Sequence, residues 1–253
     1  MSKDLAGKHA LVTGGGSGIG AATACLLSNH GCQVTVVGRT LSKLQEALFD
    51  VEDGFTVAAD VTDEDELARA FSAARERFGN VDILINNAGV ARGGPFLRTS
   101  DEDWREILEI NLLGAVACTR LALPAMLEAG WGRVVNVASI AGLRGSPYTA
   151  AYTASKHAMV GMTRSLALET VKKGVTVNAV CPGYVDTPMT DQTVENIQAK
   201  TGRSEEEARA EVEKLSQQGR LLSPDEVASA IAWLCLPAQG GVNGAAIPIG
   251  GEG

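Results

Sequence analysis

Short runs of β-branched and other apolar residues alternate with longer stretches of helical periodicity from one end of the chain to the other. This alternation is the sequence form of repeated βαβ units around a mostly parallel sheet. It predicts strands over residues 9–13, 33–37, 55–59, 82–86, 133–139, 175–181 and 245–249. Several are continuously apolar, as in Val134-Val135-Asn136-Val137, which is expected of parallel strands covered on both faces. Helices are predicted over 19–29, 65–78, 101–128 and 151–171, and Thr62 is read as the cap of the second. Ser223-Pro224-Asp225-Glu226 opens a last helix, with an N-cap, a proline in the first turn and acidic residues after it. The fold class is therefore α/β, a doubly wound, Rossmann-like parallel sheet forming a single domain over 1–253. The alternation breaks only at 186–219, a charged insertion with one helical stretch at 204–217. Its length exceeds that of ordinary loops and predicts a lid over a site.

Composition narrows the partners. With 22 basic and 30 acidic side chains the net charge is −8, so the surface repels nucleic acid and anionic lipid. Neither is expected as a partner. Residues 1–8 lack an apolar signal core, and no uninterrupted run of about 18 apolar residues occurs. The five cysteines are odd in number and lack a C-x-x-C pair, so they read as small buried apolar groups in a reducing compartment. A cytoplasmic location without a metal site is expected.

After the first strand comes Thr13-Gly14-Gly15-Gly16-Ser17-Gly18-Ile19-Gly20, leading directly into an apolar helix. Glycines let a backbone turn tightly and approach a pyrophosphate, and the helix N-terminus offers free N–H groups and a positive dipole end. The spacing is G-x-x-x-G-x-G rather than G-x-G-x-x-G, so the dinucleotide fingerprint is met in mechanism but not in letter. A plain strand-to-helix turn remains the alternative. The second strand ends in Gly38-Arg39-Thr40, without the carboxylate that would hold a ribose 2′-hydroxyl. An arginine there favours a 2′-phosphate, hence NADP(H) over NAD(H), with NAD(H) still possible. No second basic residue in the Gly-rich loop supports Arg39.

Tyr152 and Lys156 lie four residues apart at the start of a predicted helix and share a face. Hydride transfer to a ketone needs a proton for the nascent alkoxide, and a tyrosine supplies it well only when its pKa falls from about 10 toward neutral. That change is worth about 4 kcal/mol, within reach of a neighbouring ammonium and an oxidised nicotinamide in a desolvated cleft. Ser139, at the end of the fifth strand, is placed to hydrogen-bond the carbonyl. Asn111 is polar within the apolar stretch 107–113, and a water relay to Lys156 is one use for it. Each residue also admits a structural role. Tyr152 can be packing, Lys156 solvated, Ser139 a helix cap and Asn111 a satisfied core amide.

Together these residues resemble the short-chain dehydrogenases/reductases of about 250 residues. The shared marks are the Gly-rich motif, Asn86-Asn87-Ala88-Gly89, Asn111, Ser139, Tyr152-x-x-x-Lys156 and Pro182-Gly183, with Ser139 preceding Tyr152 by 13 residues. The resemblance implies a seven-stranded parallel sheet, Tyr152 as acid/base, Ser139 on the carbonyl, Lys156 lowering the tyrosine pKa and Asn111 holding a relay water. Toward a dinucleotide it implies Gly14, Gly16, Ser17, Gly18, Ile19 and Gly20 at the phosphates, with Arg39 and Thr40 at the ribose. It further implies Asp60 and Val61 at the adenine; Asn86, Asn87, Ala88 and Gly89 along the ribose and sheet edge; and Tyr152 and Lys156 on the cofactor. Pro182, Gly183, Val185 and Thr187 are implied beside the nicotinamide. The C-terminal Ile249-Gly250-Gly251 departs from the family's Asp-Gly-Gly, so the usual subunit contacts of that tail are in doubt. A homotetramer or homodimer built on the two long helices is implied.

The pocket is expected to form from 91–94, 140–144, Tyr148, Tyr184, Met189 and the insertion, with Arg92 or Arg144 available to a carboxylate or a coenzyme phosphate. The stretch 181–189 is similar to those of 3-oxoacyl thioester and polyketide ketoreductases and of 3-hydroxyacyl dehydrogenases. That implies reduction of a 3-oxoacyl thioester or related carbonyl, or the reverse oxidation of a secondary alcohol. An NAD-dependent 3-hydroxyacyl dehydrogenase is an alternative, as is a non-catalytic dinucleotide sensor or scaffold. Sugar-nucleotide epimerases share Tyr-x-x-x-Lys, but their chains are longer. His157 points away from Tyr152 and is expected at the surface.

Overall fold

Alternate residues of each strand point to opposite faces, and here both faces are apolar. On β1 (His9–Thr13), Ala10 and Val12 enter one buried cluster while Leu11 enters another. In a computed structural model that describes residues 3–251, seven parallel strands form one sheet in the order β3-β2-β1-β4-β5-β6-β7. Met1, Ser2, Glu252 and Gly253 are outside the described residues, as therefore are both ends of the expected domain 1–253 and the first two residues of stretch 1–8. The remaining strands are β2 (Gln33–Gly38), β3 (Gly54–Ala58), β4 (Ile83–Asn86), β5 (Gly132–Val137), β6 (Val175–Pro182) and β7 (Ala246–Ile249). Boundaries shift from expectation by one or two residues. The shift that matters is at β5, which stops at Val137 and leaves Ser139 on the turn beyond it.

Helices α1 (Gly18–Asn29) and α9 (Pro224–Cys235) cover one face, contributing Leu27, Val227 and Ile231 to its core. The other face is covered by α3 (Glu64–Phe78), α5 (Gly114–Ala129) and α6 (Ala150–Thr170), through Leu67, Phe71, Met126 and Ala167. The cap of α3 is Asp63, which accepts from the Glu66 N–H at 2.8 Å, rather than Thr62. Thr62 instead donates to Asp60. A short α2 (Leu41–Ala47), which apolar periodicity does not announce, follows β2.

The expected helix 101–128 is α4 (Asp101–Leu108), a π-helical turn at Glu109–Leu113, then α5. By length and composition this run could cross a membrane, but its inward face, with Cys118, Ala122 and Met126, is sheet core. The insertion holds two helices, not one. They are α7 (Pro188–Thr201), started by a first-turn proline and ended by Gly202 at φ 70°, and α8 (Glu205–Leu215). Arg209 of α8 ties them to the body through Asp186 at 2.5 Å and Asp191 at 3.4 Å.

Candidate active site

The strand order reverses between β1 and β4, and open parallel sheets place ligands in the crevice beyond the strand ends at such a point. Gly14, at φ 64°, starts the turn after β1, and a Cβ on it would meet the Asn87 amide at 2.9 Å. Gly20 has no room at all, since a Cβ would lie 2.3 Å from the Gly14 carbonyl oxygen. Asn87 fastens this loop by donating to the Thr13 and Gly14 carbonyls at 3.0 and 3.1 Å. Thr13 reciprocates, its hydroxyl accepting from the Asn87 and Ala88 N–H groups at 3.0 and 3.1 Å. Ser17 caps α1 without a side-chain bond and is exposed, leaving its hydroxyl and the first-turn N–H groups for an anion.

Arg39 and Thr40 are exposed beside this loop, and among the described residues the Arg39 side chain has no ion pair or hydrogen-bond partner. Lys43 is a second cation here that sequence reasoning missed, because α2 was not foreseen. A Cβ on Gly16 would come within 3.3 Å of the Lys43 Cβ. Val61 is buried against Gly114, while Asp60 Oδ1 accepts from the Thr62 backbone and hydroxyl. Asn86 is a correction. It is 2% exposed and points under the sheet, donating to Thr119 and Asn136, because the two-residue period puts it on the Leu84 face. It therefore does not run along a ribose.

At the far side of the crevice, Ser139 caps the short 3₁₀ turn Ile140–Gly142, accepting from the Ala141 N–H at 3.1 Å, and its hydroxyl favours the ionised form of the Tyr152 phenol. It is thus both the helix cap and the partner of the tyrosine. Lys156 is 4% exposed; its ammonium donates to the Val137 carbonyl at 2.9 Å and lies 5.7 Å from the centroid of the Tyr152 ring. Burial pushes the Lys156 pKa down to about 8. Burial pushes the Tyr152 phenol up and the Ser139 hydrogen bond pulls it down. The lowering expected from Lys156 is not felt in the protein alone, because the ammonium sits toward the ring and the Val137 carbonyl, and burial of the phenol dominates.

Asn111 sits in the π-helical turn, where the wider turn carries its amide inward. Its oxygen accepts from the Val90 N–H at 2.8 Å, and its nitrogen donates to the Val90 carbonyl at 2.9 Å and to Ser155 at 3.0 Å. Ser155, not singled out from sequence, donates to the Tyr152 carbonyl at 2.7 Å. Asn111 is therefore a satisfied core amide joining the loop after β4 to the helix that carries Tyr152 and Lys156. A Cβ on Gly89 would lie 3.1 Å from the Asn111 oxygen and 3.6 Å from the Lys156 ammonium.

Ser139, Tyr152 and Lys156 line one cavity of about 1070 Å³, together with Ile19, Asn87, Gly89 and, from the loop after β6, Pro182, Gly183, Val185 and Thr187. Asn111, Ala88, Val61 and Asp60 lie outside it, as do Arg39, Thr40 and the glycines of the loop. The expected wall from 91–94, Ile140, Arg144, Tyr148, Tyr184 and Met189 is present. Gly142 and Leu143 turn instead toward α6. The insertion adds Thr190, Thr193, Asn196, Ile197, Lys200 and Leu215. Arg92 is not free, because Glu106 grips it from two oxygens at 2.5 and 2.6 Å with Asp103 at 3.2 Å. His157 is exposed, as expected. Cys25 is only partly buried, against expectation, its thiol near the Ala47 carbonyl.

The chain is similar to known proteins over nearly its whole length. A putative ketoacyl reductase of Streptomyces coelicolor is 41% identical over 96% of this chain and 95% of its own. The D-beta-hydroxybutyrate dehydrogenase of Cupriavidus necator is 39% identical over 95% of both. The crystal structure of a single-substitution variant of the actinorhodin polyketide ketoreductase with NADPH superposes with a TM-score of 0.94 and 38% identity, covering 100% of this chain and 99% of that one. The family description "short chain dehydrogenase" matches residues 8–198. A glycine-lined anion cradle, a Ser-Tyr-Lys wall and relatives at this identity lead to one conclusion: the chain belongs to the short-chain dehydrogenase family.

Proposed function

We propose that the protein is an NADP(H)-dependent oxidoreductase that reduces a 3-oxoacyl thioester or related ketone and oxidises the secondary alcohol in reverse. The observation that carries this reading is Ser139, Tyr152 and Lys156 on one wall of a cavity that begins at Ile19, beside the Gly-rich loop. The ketoreductase names of the relatives support the substrate class. The residues fit a dinucleotide. The Gly14 and Gly20 positions leave the loop bare of side chains, Arg39 and Lys43 favour a 2′-phosphate, and Pro182, Gly183, Val185 and Thr187 border the nicotinamide end. Asp60, Val61, Asn87, Ala88 and Gly89 border the adenine and ribose path.

When bound, a reduced nicotinamide supplies the hydride. Tyr152 gives its phenolic proton to the new alkoxide, Ser139 holds the carbonyl oxygen, and Lys156 supports the phenolate. Asn111 positions the Tyr152 helix through Ser155, and holding the relay water to Lys156 is its proposed second role. The helices of 186–219 act as the substrate lid of a single domain. A dimer or tetramer forms through exposed Leu113, Leu121 and Leu127 of the π-turn and α5, with Leu168 and Val171 at the end of α6. The protein works in the cytoplasm.

NADPH and NADH oxidation against 3-oxoacyl thioesters, 3-oxo acids and cyclic ketones tests this reading. Consumption of NADPH in preference to NADH, lost in Tyr152→Phe, is the expected outcome. Preferential turnover of a 3-hydroxy acid with NAD would favour the reading suggested by the D-beta-hydroxybutyrate dehydrogenase relative. Binding of both cofactors with no turnover would favour a sensor or scaffold.

A further inference from the structure

The wall of the cavity is charged in one sense. Among the described residues that line it are five basic side chains, Arg92, Arg98, Arg144, Lys156 and Lys200, and no aspartate or glutamate. The chain as a whole carries −8, so this bias runs against the composition. Two of the five are accounted for, since Arg92 is held by Glu106 and Asp103, and Lys156 by the Val137 carbonyl. The other three come from separate elements. Arg98 ends the 3₁₀ turn Phe96–Arg98, Arg144 follows the turn that Ser139 caps, and Lys200 lies in the last turn of α7. Among the described residues, none of these three side chains has an ion pair or a hydrogen bond. Of the acidic groups on α7 and α8, Asp191 pairs with Arg209 and Glu211 with Arg203 and Lys214, and none lines the cavity.

Apolar walls, here Ile140, Val185, Met189, Ile197 and Leu215, keep the local dielectric low and focus the field of such cations. That field is felt at Tyr184, where Arg144 pulls the phenol down against the upward push of burial. Cations aimed at an apolar cavity and left without counter-ions form a receptor for an oxyanion.

We propose that Arg98, Arg144 and Lys200 form an anion receptor in the substrate half of the cavity, so that the preferred substrate carries an oxyanion beyond its ketone. This rests on the reductase reading and names the substrate's second group. Arg144 is the central member, since it lies on the segment that begins at Ser139. The oxyanion has two chemical sources, the carboxylate of a free 3-oxo acid or the phosphates of a coenzyme thioester arm.

Two matched pairs of ketones separate the sources in steady-state NADPH oxidation by the full chain. 3-Oxobutanoate is compared with its methyl ester, and 3-oxobutanoyl-coenzyme A with the 3-oxobutanoyl thioester of N-acetylcysteamine. In one pair the charged member is expected to have a kcat/KM at least tenfold above its neutral partner, mainly through KM. Arg144→Gln should shrink that ratio at least fivefold, and 0.5 M salt should shrink it in the wild type. Arg69→Gln, which makes the same charge change on α3 away from the cavity, should leave the ratio as it was. Because each ratio is taken within one variant, loss of folded protein cancels. Ratios near one in both pairs, or ratios that Arg144→Gln leaves intact, overturn the proposal. Calorimetric titration of 3-hydroxybutanoate and methyl 3-hydroxybutanoate into protein with NADP⁺ reads the receptor without turnover. Absence of turnover on every ketone would defeat the reductase reading alone, whereas equal affinities for acid and ester, together with equal affinities for 3-hydroxybutanoyl-coenzyme A and its N-acetylcysteamine thioester titrated in the same way, would defeat the receptor alone.

Discussion

Strand β5 has a buried cation at each end. Arg133, 3% exposed, lies at its start, and Lys156, 4% exposed, donates to the carbonyl of its last residue. Among the described residues neither meets a carboxylate, and burial pushes both pKa values down. The Arg133 guanidinium stacks 4.5 Å from the Trp131 ring centroid and donates to the carbonyls of Gly132 and Gly174, with its Nε left unpaired. Gly240 lies close by, since a Cβ added there would come within 3.6 Å of the Arg133 Nη2. Lys156 has a single protein acceptor and faces the cavity with its remaining protons. Burial of a charge alone therefore does not mark a function. What distinguishes Lys156 is unspent hydrogen-bonding capacity turned toward open volume.

The sharpest break of this comparison is the same substitution at both ends. Lys156→Met should lower kcat about 10²- to 10⁴-fold, the range that positioned proton-transfer groups supply, while the protein stays folded. Arg133→Met should leave kcat within about twofold and cost about 1–3 kcal/mol of stability, since charge-assisted bonds to two carbonyls are lost. Kinetics and urea denaturation of the two purified variants check both. A large kcat loss in Arg133→Met would mean that the closed end of the sheet communicates with the site.

A smaller effect sharpens it through pH. With its pKa at about 8, Lys156 is charged at neutral pH and loses its proton as pH rises through about 8. The rate of ketone reduction should fall across that window, by up to about tenfold per pH unit, in a kcat profile taken at saturating NADPH. Arg133 remains charged throughout, so Arg133→Met should show the same profile as the wild type.

At the closed end, His9 answers to pH in stability instead. Its Nδ1 donates to the Gly79 carbonyl at 2.9 Å, its Nε2 shares a 2.9 Å hydrogen bond with the Thr35 hydroxyl, and burial lowers its pKa below 6.5, favouring the neutral ring. The unfolded chain then binds the proton first as pH falls. This contribution is fully present above pH 6.5 and is lost on descending toward the folded pKa, at no more than about 1.4 kcal/mol per pH unit. Urea midpoints at pH 7 and pH 5 should show a drop that His9→Gln reduces.

The two ends were not equally legible. The Gly-rich turn, Ser139 and Tyr152-x-x-x-Lys156 could be read because each residue type is demanded by the chemistry, the first two at strand ends and the last pair on one face of a helix, whatever the surrounding packing. The continuous apolar runs disclosed the strands for the same kind of reason, since only parallel strands covered on both faces tolerate them. Details that depend on one residue of register were hidden. A π-helical turn adds a residue to a helix without changing its composition, so nothing announced that Asn111 turns inward to clasp Val90 and Ser155. The direction of Asn86 depends on the exact start of β4. Helix α7 carried its signals, Thr187-Pro188 before and Gly202 after, but its polar sequence lacks an apolar stripe. Arg92 looked available because Glu106 approaches it only through the tertiary fold.

The smallest expected effect concerns Tyr148, the one non-glycine residue at positive φ among those described. It is 69% exposed at the cavity mouth, so burial does not hold it there. Its carbonyl is held instead, accepting from the Gly94 N–H at 2.7 Å, while a Cβ on Gly93 would come within 3.2 Å of the same oxygen. A left-handed conformation costs a side chain about 1–2 kcal/mol, and glycine returns about 0.5–1 kcal/mol of that as entropy of the unfolded chain. Tyr148→Gly should therefore stabilise the protein by about 0.5–1 kcal/mol in urea denaturation, and Tyr148→Ala, which keeps the Cβ and loses the ring, should not. If the ring forms part of the substrate wall, both variants raise KM for the preferred ketone by the same factor although only Tyr148→Gly gains stability. A rise in Tyr148→Gly alone would assign the effect to loosening of the 93–94 loop, and the strain would then serve the backbone rather than the ring.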